Sequence, residues 1–146
     1  MREILFKAKQ KDWRDLPKES WWIEGYYAMM GKGNLIRHYI VQNCALTGLF
    51  EDPEENMYFN DIEIDSETLC QYTGLKDKND NRIWENDIVE DKRFDGFYKV
   101  VFRVRDGGWY VENLKTGALF RITESTSYQY EICGNCFDNL EVLKGE

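Results

Sequence analysis

The nineteen residues from Gln71 to Val89 constrain this chain more than any other stretch. Tyr72-Thr73-Gly74-Leu75 gathers an aromatic, a β-branched residue and an aliphatic around one glycine, which predicts a tight bend. Lys76 to Arg82 carries no apolar side chain and is expected to be solvated. Within it, Asn79-Asp80-Asn81 offers the non-glycine residues that best tolerate left-handed backbone angles. Ile83-Trp84 and Ile88-Val89 then bracket a Glu85-Asn86-Asp87 corner. Together these features predict an ordered turn that launches the first strand of a small barrel, and they carry no catalytic signature.

The same stretch resembles the hallmark of the YopX-like family of phage and prophage proteins, which runs Q-Y/F-T-G-L-K-D-K-N-G-K-x-I-Y/F-E-G-D-I-V. Gln71 to Asn79, Ile83, Glu85, Asp87, Ile88 and Val89 stand where that pattern expects them. Its two glycines are replaced by Asp80 and Asn86, both of which reach positive φ at modest cost, so the turns are expected to survive. Weaker echoes lie at residues 1–8 and 132–143. The resemblance implies a phage or prophage origin and a fold, and it brings no established activity with it.

The rest of the chain reads as strands and turns. Ile4, Phe6 and Ala8 alternate with Glu3, Lys7 and Lys9, the period of a half-buried strand. Trp21 to Met30 is dense in aromatics and predicts a strand buried on much of both faces. It pairs with Leu35 to Val41 across Gly31-Lys32-Gly33-Asn34. An acidic loop at 51–56 precedes an alternating segment, Tyr58 to Ile64, and a single helical turn at Ser66 to Leu69 capped by Asp65 or Ser66. Beyond the central stretch come Ile88 to Phe94, an Asp95-Gly96 turn of the two-residue hairpin type, and Tyr98 to Arg105. Trp109 to Asn113, Ala118 to Thr123, a polar crossing at 125–129 and Tyr130 to Cys136 with Leu140 to Leu143 complete the pattern. The expected fold is mainly β with little helix. An N-terminal β-meander (1–70) packs on an SH3-like barrel (71–146), or the two form one combined domain, and the barrel would remove exposed strand edges.

With 42% hydrophobic and 15% aromatic residues, the 146-residue chain can bury a real core. Its net charge of −8 is spread over both halves, −5 before residue 71 and −3 after it. A basic surface for nonspecific nucleic-acid binding is therefore disfavoured. No apolar run has the length of a signal peptide or a membrane span, so a cytosolic protein with reduced thiols is expected.

Cys133-Gly134-Asn135-Cys136 has the spacing of a zinc knuckle or redox pair, but Cys44 and Cys70 stand singly, so small buried hydrophobes are favoured. Asp77, Asn79 and Asn81 imitate the start of a calcium loop. Arg82 replaces its glycine and Ile88 its bidentate glutamate, and side-chain capping of a turn explains the trio better. Glu85 and Asp87 sit at strand spacing. The preferred role for Asp87 is bonding backbone amides of the preceding turn. His38 is the single histidine and reads as a satisfied strand residue. No metal, cofactor or catalytic set is expected.

Two surfaces remain. Trp21, Trp22, Tyr26 and Tyr27 are many large rings for one face of a short hairpin, and exposed members would form an interface. The competing possibility is that all four enter the core. Lys99, Arg103 and Arg105 form a basic stripe that would serve nucleic acid, against the simpler view of a solvated strand face. The expectation is a non-enzymatic interaction module that self-associates and meets a protein partner, without membrane contact; a nucleic-acid-binding module is the alternative.

Overall fold

The computed structural model describes residues 3–43, 59–94 and 96–139. The acidic loop at 51–56, Cys44, Tyr58, Asp95 of the expected hairpin turn and the closing segment 140–143 lie outside the described residues. The protein is mainly β, built on two antiparallel sheets, and its one α-helix among the described residues is four residues long. The chain divides into two compact units, Ile4–Gln71 and Tyr72–Glu146 with Met1–Glu3. No helix among the described residues is long and apolar enough to cross a membrane.

In the first unit the strands are β1 (Phe6–Lys9), β2 (Trp22–Met30), β3 (Arg37–Asn43) and β4 (Phe59–Glu63), in the order β4-β3-β2-β1. The first residues of β5 (Cys70–Lys76) pair with the free side of β1, Phe6 opposite Gln71 and Lys7 opposite Cys70. The β2–β3 hairpin follows the expected pairing, with Tyr27 opposite Ile40 and Met30 opposite Arg37. Gly25 is required inside β2. A Cβ there would come within 2.6 Å of the Val41 carbonyl oxygen and 2.9 Å of Ile40 Cγ2. Ala8, Ile40 and Ile64 form the core, with Phe6, Ile23, Tyr27 and Leu69 packed against it. A 3-10 turn at Ser66–Thr68 is capped by Asp65, whose carboxylate accepts the Glu67 N–H at 3.2 Å.

Three expectations fail in this unit for one physical reason, that burial depends on what lies above a strand and not on its period alone. Ile4 is exposed, because pairing starts only at Phe6. Lys9, placed by alternation on the polar side, is 2% exposed. The connection after β1 folds over it, and its Nζ lies 3.9, 4.6 and 5.5 Å from the ring centres of Trp13, Trp21 and Trp22. Cation–π attraction by three rings compensates much of the lost hydration of an ammonium. Trp13 is itself tethered, donating its indole N–H to Asp65 Oδ2 at 3.2 Å and meeting Trp21 edge to face. Finally, β2 is not buried on both faces along its length: Tyr26, Met29 and Met30 are exposed towards the turn.

In the second unit, the rest of β5 pairs with β6 (Arg82–Trp84), and the register shifts between Tyr72 and Lys76. Gly74, at φ 84°, sits within that shift as the expected bend. A five-stranded sheet follows, in the order β10-β9-β8-β7-β11, from β7 (Asp87–Glu90), β8 (Phe97–Arg103), β9 (Gly108–Asn113), β10 (Leu119–Arg121) and β11 (Glu131–Asn135). Its core is Ile83, Val89, Tyr98, Val100, Val111, Ile122 and Tyr130. β10 and β11 end the order and no pairing joins them among the described residues, so the expected closed barrel is not formed there. The strand expected to reach Phe94 stops at Glu90, because Asp91 turns inward to bind Arg93. The polar crossing contains helix α1 (Glu124–Ser127), started by a capping box between Thr123 and Thr126.

Candidate functional site: a turn, a hairpin and an aromatic cavity

The turn between β5 and β6 is organised by a residue expected to be solvated. Asp77 is 0% exposed. Its Oδ1 accepts the Asn79 and Asn81 N–H groups, each at 2.9 Å, and its Oδ2 accepts the Ile132 N–H at 3.0 Å. The carboxylate therefore caps the turn through three backbone N–H groups and ties it to β11. Asp80 and Asn86 adopt φ of 65° and 70°, the left-handed values that the two replaced glycines require. Thr73 donates to the Ile83 carbonyl at 2.7 Å and accepts the Leu75 N–H at 3.1 Å. Asp87 is buried and accepts the Trp84 N–H at 2.8 Å. Lys76 faces Asp80 at 3.8 Å, and Glu85 is half-buried at the corner. Tyr72 packs on Trp84, with ring centres 5.5 Å apart. Every one of these contacts shapes a turn.

The cysteine pair divides. Cys136 is buried, whereas Cys133 is exposed, contrary to its expected burial. The register of β11 against β7 jumps from Ile132 to Gly134, so Cys133 is the extra residue of a bulge and is turned out of the ladder. Partial burial of its sulfur, then the negative charges of Glu90, Glu131 and Asp87, push the Cys133 thiol up to about 11. Burial also raises Cys136. Both groups are therefore thiols at neutral pH, the poorly nucleophilic form. Among the described residues no cluster of three or more His, Cys, Asp or Glu is placed to hold a metal.

His38 lies in β3, where the Tyr27 hydroxyl meets its Nδ1 at 2.6 Å and the two rings stack. The basic stripe does not lie on one strand face. Lys99 and Arg103 belong to β8, while Arg105 falls in the turn beyond it. Arg103 is paired with Asp106 at 3.0 Å and lies 5.7 Å from the Tyr110 ring centre.

Of the aromatic hairpin residues, Trp21 and Trp22 are half-buried over Lys9, Tyr27 packs towards the core and Tyr26 is exposed. The exposed surface extends beyond these four residues. Met29 and Met30 near the end of β2, and Leu35 and Ile36 before β3, are all exposed, Leu35 at 74%. Met29 and Met30 point to opposite sides of the ribbon, so the hairpin end is apolar on both faces.

A cavity of about 420 Å³ opens in the second unit. Phe94, Tyr98, Phe120 and Tyr130 form its walls, and Arg93 and Arg121 stand among them. Tyr98 meets Phe120 and Tyr130 edge to face, at 6.2 and 6.0 Å between ring centres. The Arg93 guanidinium grips Asp91 through Nε at 3.1 Å and an Nη at 2.8 Å, and the same Nη reaches Gln129 Oε1 at 2.6 Å. That pairing holds the Asp91 carboxyl below its usual range. The sequence does not announce this site because its walls come from the β7–β8 connection, β8, β10 and the residue just before β11. The one available signal was aromatics recurring at inward strand positions with hydroxyls on two of them.

The fold and these sites define a small, mainly β protein of two antiparallel sheets whose ordered turns are held by buried carboxylates. The chain belongs to the YopX family: the family described as YopX protein matches residues 20–144. The crystal structure of protein EF1440 from Enterococcus faecalis is similar in fold, with a TM-score of 0.54 at 20% identity, covering 98% of this chain and 99% of that one. Comparison with curated proteins gives no match.

Proposed function

We propose that this protein is a non-catalytic interaction module of phage or prophage origin, acting in the cytosol, which self-associates through the end of its β2–β3 hairpin. The observation that carries the reading is the exposure of Tyr26, Met29, Met30, Leu35 and Ile36 on one ribbon. A two-stranded ribbon with apolar side chains on both faces has no core of its own to bury them. Each such side chain gains about 1.5–3 kcal/mol when covered, and contiguous exposed apolar surface of this kind marks an association site. A second copy of the hairpin is the occupant proposed here, since it presents the same apolar ends. A further protein partner would use the same surface.

Sedimentation velocity at about 50 μM tests this, a concentration at which an interface of micromolar affinity is largely occupied. The wild type is expected to sediment as an oligomer. Met29→Glu combined with Leu35→Glu is expected to return it to monomer with little change in thermal midpoint, since neither side chain belongs to the core. A monomeric wild type at that concentration would sink the proposal.

A further inference from the structure

We propose that the free edge of β10 takes up one extended peptide strand from a protein partner, with an acidic residue opposite Arg121 and a large apolar residue opposite Phe120. This edge lies in the second unit and does not depend on the hairpin surface. The first ground is the phase of the main-chain bonds. Among the described residues β10 pairs with β9 alone, Leu119 opposite Glu112, Phe120 opposite Val111 and Arg121 opposite Tyr110. The flanking bonds fix which groups face β9: Asn113 N–H donates to the Ala118 carbonyl at 2.8 Å and Ile122 N–H to the Trp109 carbonyl at 3.2 Å. Bonded and non-bonded pairs alternate along an antiparallel ladder, so Ala118, Phe120 and Ile122 turn inwards. The N–H and C=O of Leu119 and of Arg121 therefore point away from the sheet, and they meet no hydrogen-bond partner among the described residues. The opposite edge is closed. Beyond β11, Asp77 accepts the Ile132 N–H at 3.0 Å and the Lys78 N–H donates to the Tyr130 carbonyl at 2.9 Å. An edge with donors and acceptors open at alternate residues is a template for strand addition.

The second ground is what stands on either face of that edge. A strand laid antiparallel to β10 sets one residue directly opposite each of Arg121, Phe120 and Leu119, with Cβ atoms about 4.5–5.5 Å apart and side chains on the same face. Phe120 shares the face of Val111 and is 51% exposed beside the cavity of about 420 Å³ that Phe94, Tyr98 and Tyr130 also wall. Arg121 borders the same cavity, yet its guanidinium lies on the other face, 5.8 Å from the Tyr110 ring centre and where a Cβ on Gly108 would meet it at 3.0 Å. Its main chain is then the part that borders the cavity, so the apolar hollow extends to the strand edge. A large apolar side chain opposite Phe120 enters the hollow and covers the exposed rings of Phe94 and Phe120.

The third ground is charge, and it decides the occupant. Arg121 forms no ion pair among the described residues, and Tyr110 across the ladder offers it a ring and no anion. Arg103, which reaches the same ring, is answered by Asp106 at 3.0 Å. A carboxylate opposite Arg121 completes the cross-strand pair. A second copy of β10 would not, since antiparallel pairing centred on Phe120 sets Leu119 against Arg121 at both ends. Along its own direction the partner strand therefore reads acidic, large apolar, then aliphatic beside Leu119. The two outward residues offer one donor and one acceptor each, so the strand is held weakly and by its side chains as much as by its main chain.

The test is heteronuclear NMR titration of the full chain with the peptide acetyl-Thr-Ser-Glu-Phe-Val-Ser-Thr-amide, to about 5 mM, a ceiling that reaches millimolar sites. Saturable shifts centred on Leu119, Phe120 and Arg121 are expected, with slowed solvent exchange at the Leu119 and Arg121 amides. N-methylation separates strand pairing from general apolar contact. A methyl on the glutamate nitrogen, opposite Arg121, removes a bond to β10 and is expected to weaken binding about tenfold. One on the phenylalanine nitrogen, which faces away from β10, is expected to leave affinity within about twofold. Lysine in place of the glutamate should weaken binding about fivefold, and Arg121→Glu should restore the lysine peptide by a similar factor. Arg121 is exposed, so that variant should fold, as unchanged shifts elsewhere would verify. No saturation by the glutamate peptide overturns the proposal. So do equal effects of the two methyl groups, shifts that spare β10, or a lysine peptide that binds the wild type as well. Protection of the Leu119 and Arg121 amides that grows with protein concentration alone would mean that a second copy fills the edge, and would overturn it too.

Discussion

At the scale of single residues, the turn from Gly74 to Asp87 shows how far local chemistry can be read without coordinates. Asp80 and Asn86 were legible as stand-ins for glycine, because few other residues accept the φ values of 65° and 70° that they adopt. Asp77 was not. A carboxylate in a polar run looks solvated, and only the return of Ile132, fifty-five positions later, brings the third N–H that completes its shell. Asp77→Ala would leave three backbone donors without their acceptor, an expected loss of about 2–4 kcal/mol in urea unfolding. Asp77→Asn keeps the shape and one acceptor oxygen and is expected to lose roughly half as much. If Asp77→Ala costs under about 1 kcal/mol, the carboxylate is decoration rather than the organiser of the turn.

At the scale of elements, strand pairing in the hairpins was readable and burial was not. Tyr27 opposite Ile40 follows from alternation and a glycine-rich turn, whereas the caging of Lys9 depends on the 3-10 turns at Trp13–Asp15 and Lys18–Ser20 folding back over β1. Neither period nor hydropathy announces such a lid. The cage makes the lysine a packing residue with a charge. Lys9→Ala removes the aliphatic stem and the cation–π contacts together and is expected to cost about 2–4 kcal/mol. Lys9→Met restores most of the volume without an ammonium to desolvate, and its loss should be clearly smaller. Urea unfolding followed by tryptophan fluorescence measures both, with Trp13, Trp21 and Trp22 as the reporting rings. Equal losses for the two variants would mean that the charge, not the stem, holds the lid. Helix α1 escaped notice for a related reason: Glu124–Ser127 is a single turn, too short for any hydrophobic period, and only its Thr123–Thr126 box could have signalled it.

At the scale of the whole molecule, charge separates the two functional readings that sequence left standing. Each chain carries −8, so two copies repel one another wherever their hairpins meet. Salt shortens the reach of that repulsion, from a Debye length of about 10 Å at 0.1 M to about 3 Å at 1 M, while leaving apolar burial intact or slightly strengthened. Self-association through Met29, Met30, Leu35 and Ile36 is therefore expected to tighten several-fold between about 0.05 and 0.5 M sodium chloride. Binding to a polyanion through Lys99, Arg103 and Arg105 would run the other way, because released counterions make affinity fall steeply with salt. One sedimentation series across that range, with and without a short DNA duplex, reads both signs at once. An oligomer that dissociates as salt rises would mean that ion pairs, and not the apolar hairpin end, hold the copies together.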